Sequence, residues 1–94
     1  PAEISGGDGA DVLNGRARVK DSRGRDVTEQ FLHGAYAALE IAKAAGAKTA
    51  LLKSKSPSCG AGEIYDGGFT GMLREGDGVT AALFKREGIE VNPV

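Results

Sequence analysis

Between Asp26 and Gly60 the chain passes from a helix pattern to a strand pattern to a loop without a linker, and that succession restricts the fold more than any other feature. Phe31, Ala35, Ala38, Leu39, Ala42 and Ala45 recur at three- and four-residue spacing and form one apolar stripe. Asp26 or Thr28 can cap the first turn, Glu29 lies near the positive end of the dipole and Lys43 near the negative end. Gly46 suits the left-handed residue that closes a helix. The spacing predicts a helix over 28–45. Ala47–Lys53 follows at once, with Thr49-Ala50-Leu51-Leu52 at its centre. So short an apolar run after a helix reads as a strand buried on both faces of a parallel sheet.

The flanks are less regular. Val12-Leu13 and Ala17–Lys20 read as the arms of a small hairpin around Asn14-Gly15, a strong two-residue turn signal. Glu63-Ile64-Tyr65 and Phe69-Thr70 flank Asp66-Gly67-Gly68, which reads as a tight hairpin. A second helix starts after Asp77, with Val79, Ala82, Leu83 and Arg86 on one face, and Gly88 stops it. Ile89 and Val91 alternate with Glu90 and Asn92, a last strand. This order predicts an α/β domain, a three-layer sandwich on a small, mainly parallel, Rossmann-like sheet. The second helix is then the right-handed crossover between two parallel strands.

The 94 residues suit one domain, 1–94, not two. A net charge of −1 without a basic face argues against nucleic acid as a partner. No apolar run approaches the ~18 residues of a membrane span, and no secretory signal is recognised. One Cys allows no intrachain disulfide, so a cytoplasmic setting is the default. Glycine, at 15 residues, is about twice as frequent as usual. Either the chain turns often or its backbone lines a site closely.

The candidate site is Ser56-Pro57-Ser58-Cys59-Gly60, placed at the carboxyl end of the central strand, where α/β sheets bind ligands. Pro57 restrains Ser56 to extended geometry. The hydroxyls of Ser56 and Ser58 and the backbone around Gly60 offer donors to an anion or to sulfur. Cys59 is a thiolate ligand or nucleophile if its pKa is lowered, and Lys53 and Lys55 are near enough in sequence to do so. The competing reading is an inert Cys buried in a turn.

Other motifs carry less. Gly60-Ala61-Gly62-Glu63-Ile64-Tyr65 and Gly7-Asp8-Gly9-Ala10-Asp11-Val12 begin like a dinucleotide fingerprint and lack its third Gly. Asp8 and Asp11 lack the further carboxylates of a calcium loop and read as solvated turn residues. His33 lies off the apolar stripe and faces solvent. Tyr65-Asp66-Gly67 can offer a hydroxyl or a carboxylate near the Cys59 loop, or be a purely structural tip.

Taken together, the run Leu52–Gly60, then Ile64-Tyr65-Asp66-Gly67-Gly68-Phe69, Gly76–Leu83 and Gly88-Ile89 resembles the thiouracil desulfurase family. Pro1–Ile4, Gly6–Gly9 and Asp26–Thr28 with Phe31 share the resemblance, which covers nearly the whole chain. It implies a bacterial protein with a 4Fe-4S cluster held by three cysteines, whose open iron takes the sulfur of a thiolated nucleobase such as 2-thiouracil while water supplies oxygen. On that resemblance Cys59 is the third cluster ligand and Ser56 an active-site serine; Ser58 and Gly60, from the donors they offer in the loop, are expected substrate contacts. The family's first two cluster cysteines should lie before Pro1. One Cys cannot hold the cluster. The chain is therefore expected to be the C-terminal two-thirds of a longer domain, inactive alone, with an open sheet edge through which copies can associate. Two other functions fit the residues: a cluster-free thiol enzyme of sulfur transfer, and a non-enzymatic interaction module.

Overall fold

The computed structural model describes residues 1–94. Its elements run β1 (Ala2–Ser5), α1 (Gly9–Leu13), β2 (Arg18–Asp21), α2 (Thr28–Ala44), β3 (Thr49–Leu52), β4 (Glu63–Tyr65), β5 (Leu73–Glu75), α3 (Val79–Arg86) and β6 (Glu90–Pro93). The strands form three two-stranded sheets, β1–β2, β3–β6 and β4–β5. The α/β class holds. The small parallel sheet is the β3–β6 pair, in register Thr49 to Glu90 through Leu52 to Pro93, and the other two pairs are antiparallel.

Helix α3 is the centre of the molecule. Val79 through Phe84 are all buried, so this helix has no solvent face over its first six residues. It packs against α2 and α1 and returns the chain to β6, placing it between the parallel strands as expected. Its Val79 and Leu83 share the core with Ile4, Val19 and Ile64, all fully buried. Gly88, at φ 84°, ends the last turn.

Helix α2 matches its predicted span within a residue. Its start is built differently. Asp26 Oδ1 accepts the Thr28 N–H at 2.9 Å, while Thr28 is buried and its Oγ1 accepts the Val19 N–H at 2.9 Å. Thr28 thus fastens α2 to β2 and does not cap its own helix. At the other end Gly46, at φ 68°, closes the helix as expected.

Three sequence expectations are corrected. The hairpin around Asn14-Gly15 does not form: residues 9–13 are helical, and β2 pairs with β1. Asp8 and Asp11, read above as solvated turn residues, make a reciprocal capping box that starts α1, each side chain accepting the other's backbone N–H at 3.0–3.1 Å. Asn14 and Gly15 end that helix instead of turning a ribbon. The second correction concerns β3, which is not buried: Leu51 is 71% exposed. With β6 its only ladder partner, the strand lacks the cover that a double-sided apolar run needs. In the third, the arm opposite Glu63–Tyr65 is Leu73–Glu75 and not Phe69-Thr70. Residues 66–72 form a wider loop because Glu3 and Asp66 hold their N–H groups.

Candidate functional site

Residues 53–60 leave β3 and run beside β4, where Lys55 bridges Ile64 in parallel and its N–H donates to Glu63 O at 2.7 Å. Lys55 has a φ of 76°, a left-handed conformation that non-glycine residues seldom adopt. From there the chain makes one tight turn. Ser56 Oγ accepts the N–H groups of both Ser58 and Cys59 at 3.1 Å, and Ser56 O accepts the Gly60 N–H at 2.8 Å. Pro57 has no N–H to place and presets its own φ for the turn. Gly60 is required by space: an added Cβ would stand 2.5 Å from Ser56 O and 2.7 Å from Ile64 Cγ2.

The turn is bolted to the start of α3. Pro57 O accepts the Val79 N–H at 2.8 Å, Ser58 O accepts those of Thr80 at 2.8 Å and Ala81 at 3.3 Å, and Gly60 O accepts the Gly78 N–H at 2.8 Å. These helix-end donors have no partner within their own helix, and the loop carbonyls satisfy them. The positive end of α3 is thereby committed to holding the Cys59 loop. Gly78 makes the approach possible, because a Cβ there would collide with Ser58 O. Gly9 in turn packs on Gly78 O, and its N–H donates to Asp77 O at 2.7 Å. Asp77 also accepts the Gly62 N–H at 2.8 Å and pairs with Lys85 at 2.9 Å.

The side chains of the turn are ordered by a buried hydroxyl. Ser58 Oγ lies 2.8 Å from Oγ1 of Thr80, which is 4% exposed. Cys59 is half-buried and free, with Sγ 3.8 Å from Ser58 Oγ. Ser56, whose hydroxyl oxygen accepts both loop N–H groups, still has one O–H proton to donate. Ser56, Ser58, Cys59 and Gly60 thus lie in one turn, in which Ser56, Ser58 and Cys59 are half-buried and Gly60 is buried with its N–H and C=O both bonded within the protein.

Other candidates stand apart. No hydrogen bond or ion pair joins Lys53 or Lys55 to the thiol. Asp66 serves its own loop, accepting the Gly68 N–H at 2.9 Å. His33 is exposed and lines an open groove of about 560 Å³ on the outer face of α2 with Glu29, Leu32, Tyr36, Ala37 and Glu40, away from Cys59. Thr80 and Gly78 are the site residues that sequence reasoning missed. The only signal was their place in the Gly76–Leu83 run, which gave no hint that they touch Ser58.

The donor set does not by itself fit an iron–sulfur cluster. Cys59 is the single thiol, and no three His, Cys, Asp or Glu side chains converge anywhere. No helix is long and apolar enough to cross a membrane.

Comparison with known proteins gives this site its context. The 2-thiouracil desulfurase family model matches residues 1–93. The chain is 52% identical over 91 residues to the uncharacterized protein YbbK of Bacillus subtilis (strain 168), covering 97% of this chain and 60% of that protein. It is also similar to the solved structure of the [4Fe-4S]-dependent thiouracil desulfidase TudS, with a TM-score of 0.79 and 47% identity over 81% of this chain and 50% of that one. The chain thus spans between half and two-thirds of the length of these relatives. A match running from the first β-strand through the Cys59 turn to the last one leaves one assignment: this chain belongs to the 2-thiouracil desulfurase family.

Proposed function

We propose that this chain is the Cys59-bearing part of a desulfidase that replaces the sulfur of a thiolated pyrimidine, such as 2-thiouracil, by oxygen. The observation that supports it best is the family match over 1–93, which takes in the tight Ser56–Gly60 turn that carries Cys59 and is braced on the start of α3. The net reaction is hydrolytic: the ring C=S and water give C=O and hydrogen sulfide, with no change in oxidation state. Cys59 supplies one soft thiolate, the ligand type that iron–sulfur clusters take. The remaining cluster ligands come from outside these residues, so the chain alone is inactive. Ser56, with its remaining O–H proton, donates a hydrogen bond to the substrate. Ser58, fixed by Thr80, stands beside the sulfur, and the absence of a side chain at Gly60 leaves the turn tight.

The test is a chimera in which this chain replaces the matching part of YbbK, reconstituted anaerobically with iron and sulfide. Conversion of 2-thiouracil to uracil with one equivalent of sulfide supports the reading. A chimera that folds and binds iron yet leaves 2-thiouracil unchanged overturns it.

A further inference from the structure

Residues 66–72 carry a feature that neither the core nor the Cys59 turn explains. Phe69 has a φ of 57° and is 40% exposed. An aromatic residue in the left-handed region is an outlier, because that backbone suits Gly or Asn. The same loop uses glycine at φ 95° and 81°, at Gly67 and Gly71, yet places a Phe between them. The conformation is held from outside. Glu3 Oε1 accepts the N–H groups of Gly67 at 3.0 Å and of Phe69 at 3.1 Å, and Asp66 N–H donates to Met72 O at 2.9 Å. Gly67 sits so close to Ile4 O that no Cβ fits there. Met72 and Leu73, 61% and 39% exposed, extend the apolar surface. At the Lys55–Ile64 bridge the two segments run parallel, so the chain leaves toward the Cys59 turn and toward Phe69 in the same direction.

We propose that Phe69 is a substrate-contact residue, the preformed face on which the planar ring of the thiolated pyrimidine stacks. The inference rests on the desulfidase reading and adds a ring-recognition residue to it. Every nucleobase has a π-face, so a single clamped aromatic serves a heterocycle without regard to its hydrogen-bonding edge. Strain that glycine or asparagine would relieve is retained here for the ring.

The experiment is titration of this 94-residue chain with 2-thiouracil, followed by backbone amide NMR, with thermal melts alongside. Wild type should show concerted shifts in Ser56–Gly60 and in 66–72. Phe69→Leu keeps the apolar bulk, and Phe69→Asn suits the backbone. Both should bind roughly tenfold more weakly, the loss of about one aromatic stack, while Phe69→Tyr binds as wild type. Phe69→Asn should melt no lower than wild type. Unchanged affinity in Phe69→Leu, with the Ser56–Gly60 shifts intact, overturns the inference and leaves the desulfidase reading standing. A marked fall in melting temperature in Phe69→Asn also overturns it, since the ring is then packing. Absence of any shift in either loop removes the inference, and the chimera assay then decides the desulfidase reading separately.

Discussion

Ser56 Oγ accepts the backbone N–H of Cys59 at 3.1 Å, so a side chain expected to face substrate is first of all the strut of the turn that carries the thiol. The same oxygen takes the Ser58 N–H. Ser56→Ala leaves both donors without their partner and should cost on the order of 1–2 kcal/mol. Faster amide exchange confined to Ser58 and Cys59 is the readout. Ser56→Thr, which keeps the oxygen, should restore protection.

Gly78 is a packing requirement. Its Cβ position is filled by Ser58 O and lies 2.7 Å from Pro57 O, both backbone atoms that cannot swing away. Gly78→Ala should destabilise the fold by about 1–3 kcal/mol or more, as overpacking does, and separate the Cys59 turn from α3. Chemical denaturation measures the first effect, and loss of amide protection at Val79 and Thr80 the second.

Thr80→Val tests the buried hydroxyl pair at close to constant volume. Ser58 Oγ then loses its 2.8 Å partner. The expected cost is about 1 kcal/mol, with a change of Ser58 side-chain rotamer visible in its NMR couplings. A rotamer that does not respond would show that Thr80 does not set it.

Acid should weaken the fold through four surface carboxylates. The backbone N–H of Asp8 lowers the pKa of Asp11, and that of Arg25 lowers Asp21; the Arg18 side chain lowers Asp26, and the Lys43 side chain lowers Glu87. All four sit below their ordinary values of 3.8 for Asp and 4.5 for Glu. For a lowered pKa the unfolded chain binds protons first as pH falls. The stabilisation is therefore complete above the unfolded values and is lost as pH drops through and below about 4. Melting temperature should be flat from neutral to about pH 6 and decline below pH 4–5. A rise on acidification would contradict the assignment.

Leu51 is 71% and Ile41 72% exposed, and β3 has a ladder partner on one side only. An unpaired edge with apolar side chains favours association. The isolated chain should self-associate with concentration in analytical ultracentrifugation, and Leu51→Lys should reduce it. Leu51→Lys should change stability by no more than about 0.5 kcal/mol, being a surface substitution.

Legibility in the sequence followed locality. Helix α2, from Thr28 to Ala44, was readable because its stripe and its Gly46 stop are periodic and local. The Ser56–Gly60 turn was readable because Pro57 and Gly60 restrict their own neighbourhood. Failures arose where one motif served two structures. Asn14-Gly15 ends a helix here, and the decisive signal was the Asp8–Asp11 capping box upstream of it. Exposure of Leu51 was unreadable because burial depends on what covers a strand, which the strand's own residues do not encode. The Ser58–Thr80 contact spans a separation of 22 residues, and only the folded chain reveals it.

Iron content and visible absorbance of the reconstituted YbbK chimera, with Cys59 intact and as Cys59→Ser, test the central assignment most directly. A broad charge-transfer band with about four irons per chain when Cys59 is present, sharply reduced in Cys59→Ser, is the predicted result. Equal iron and an unchanged spectrum in the serine variant would contradict it.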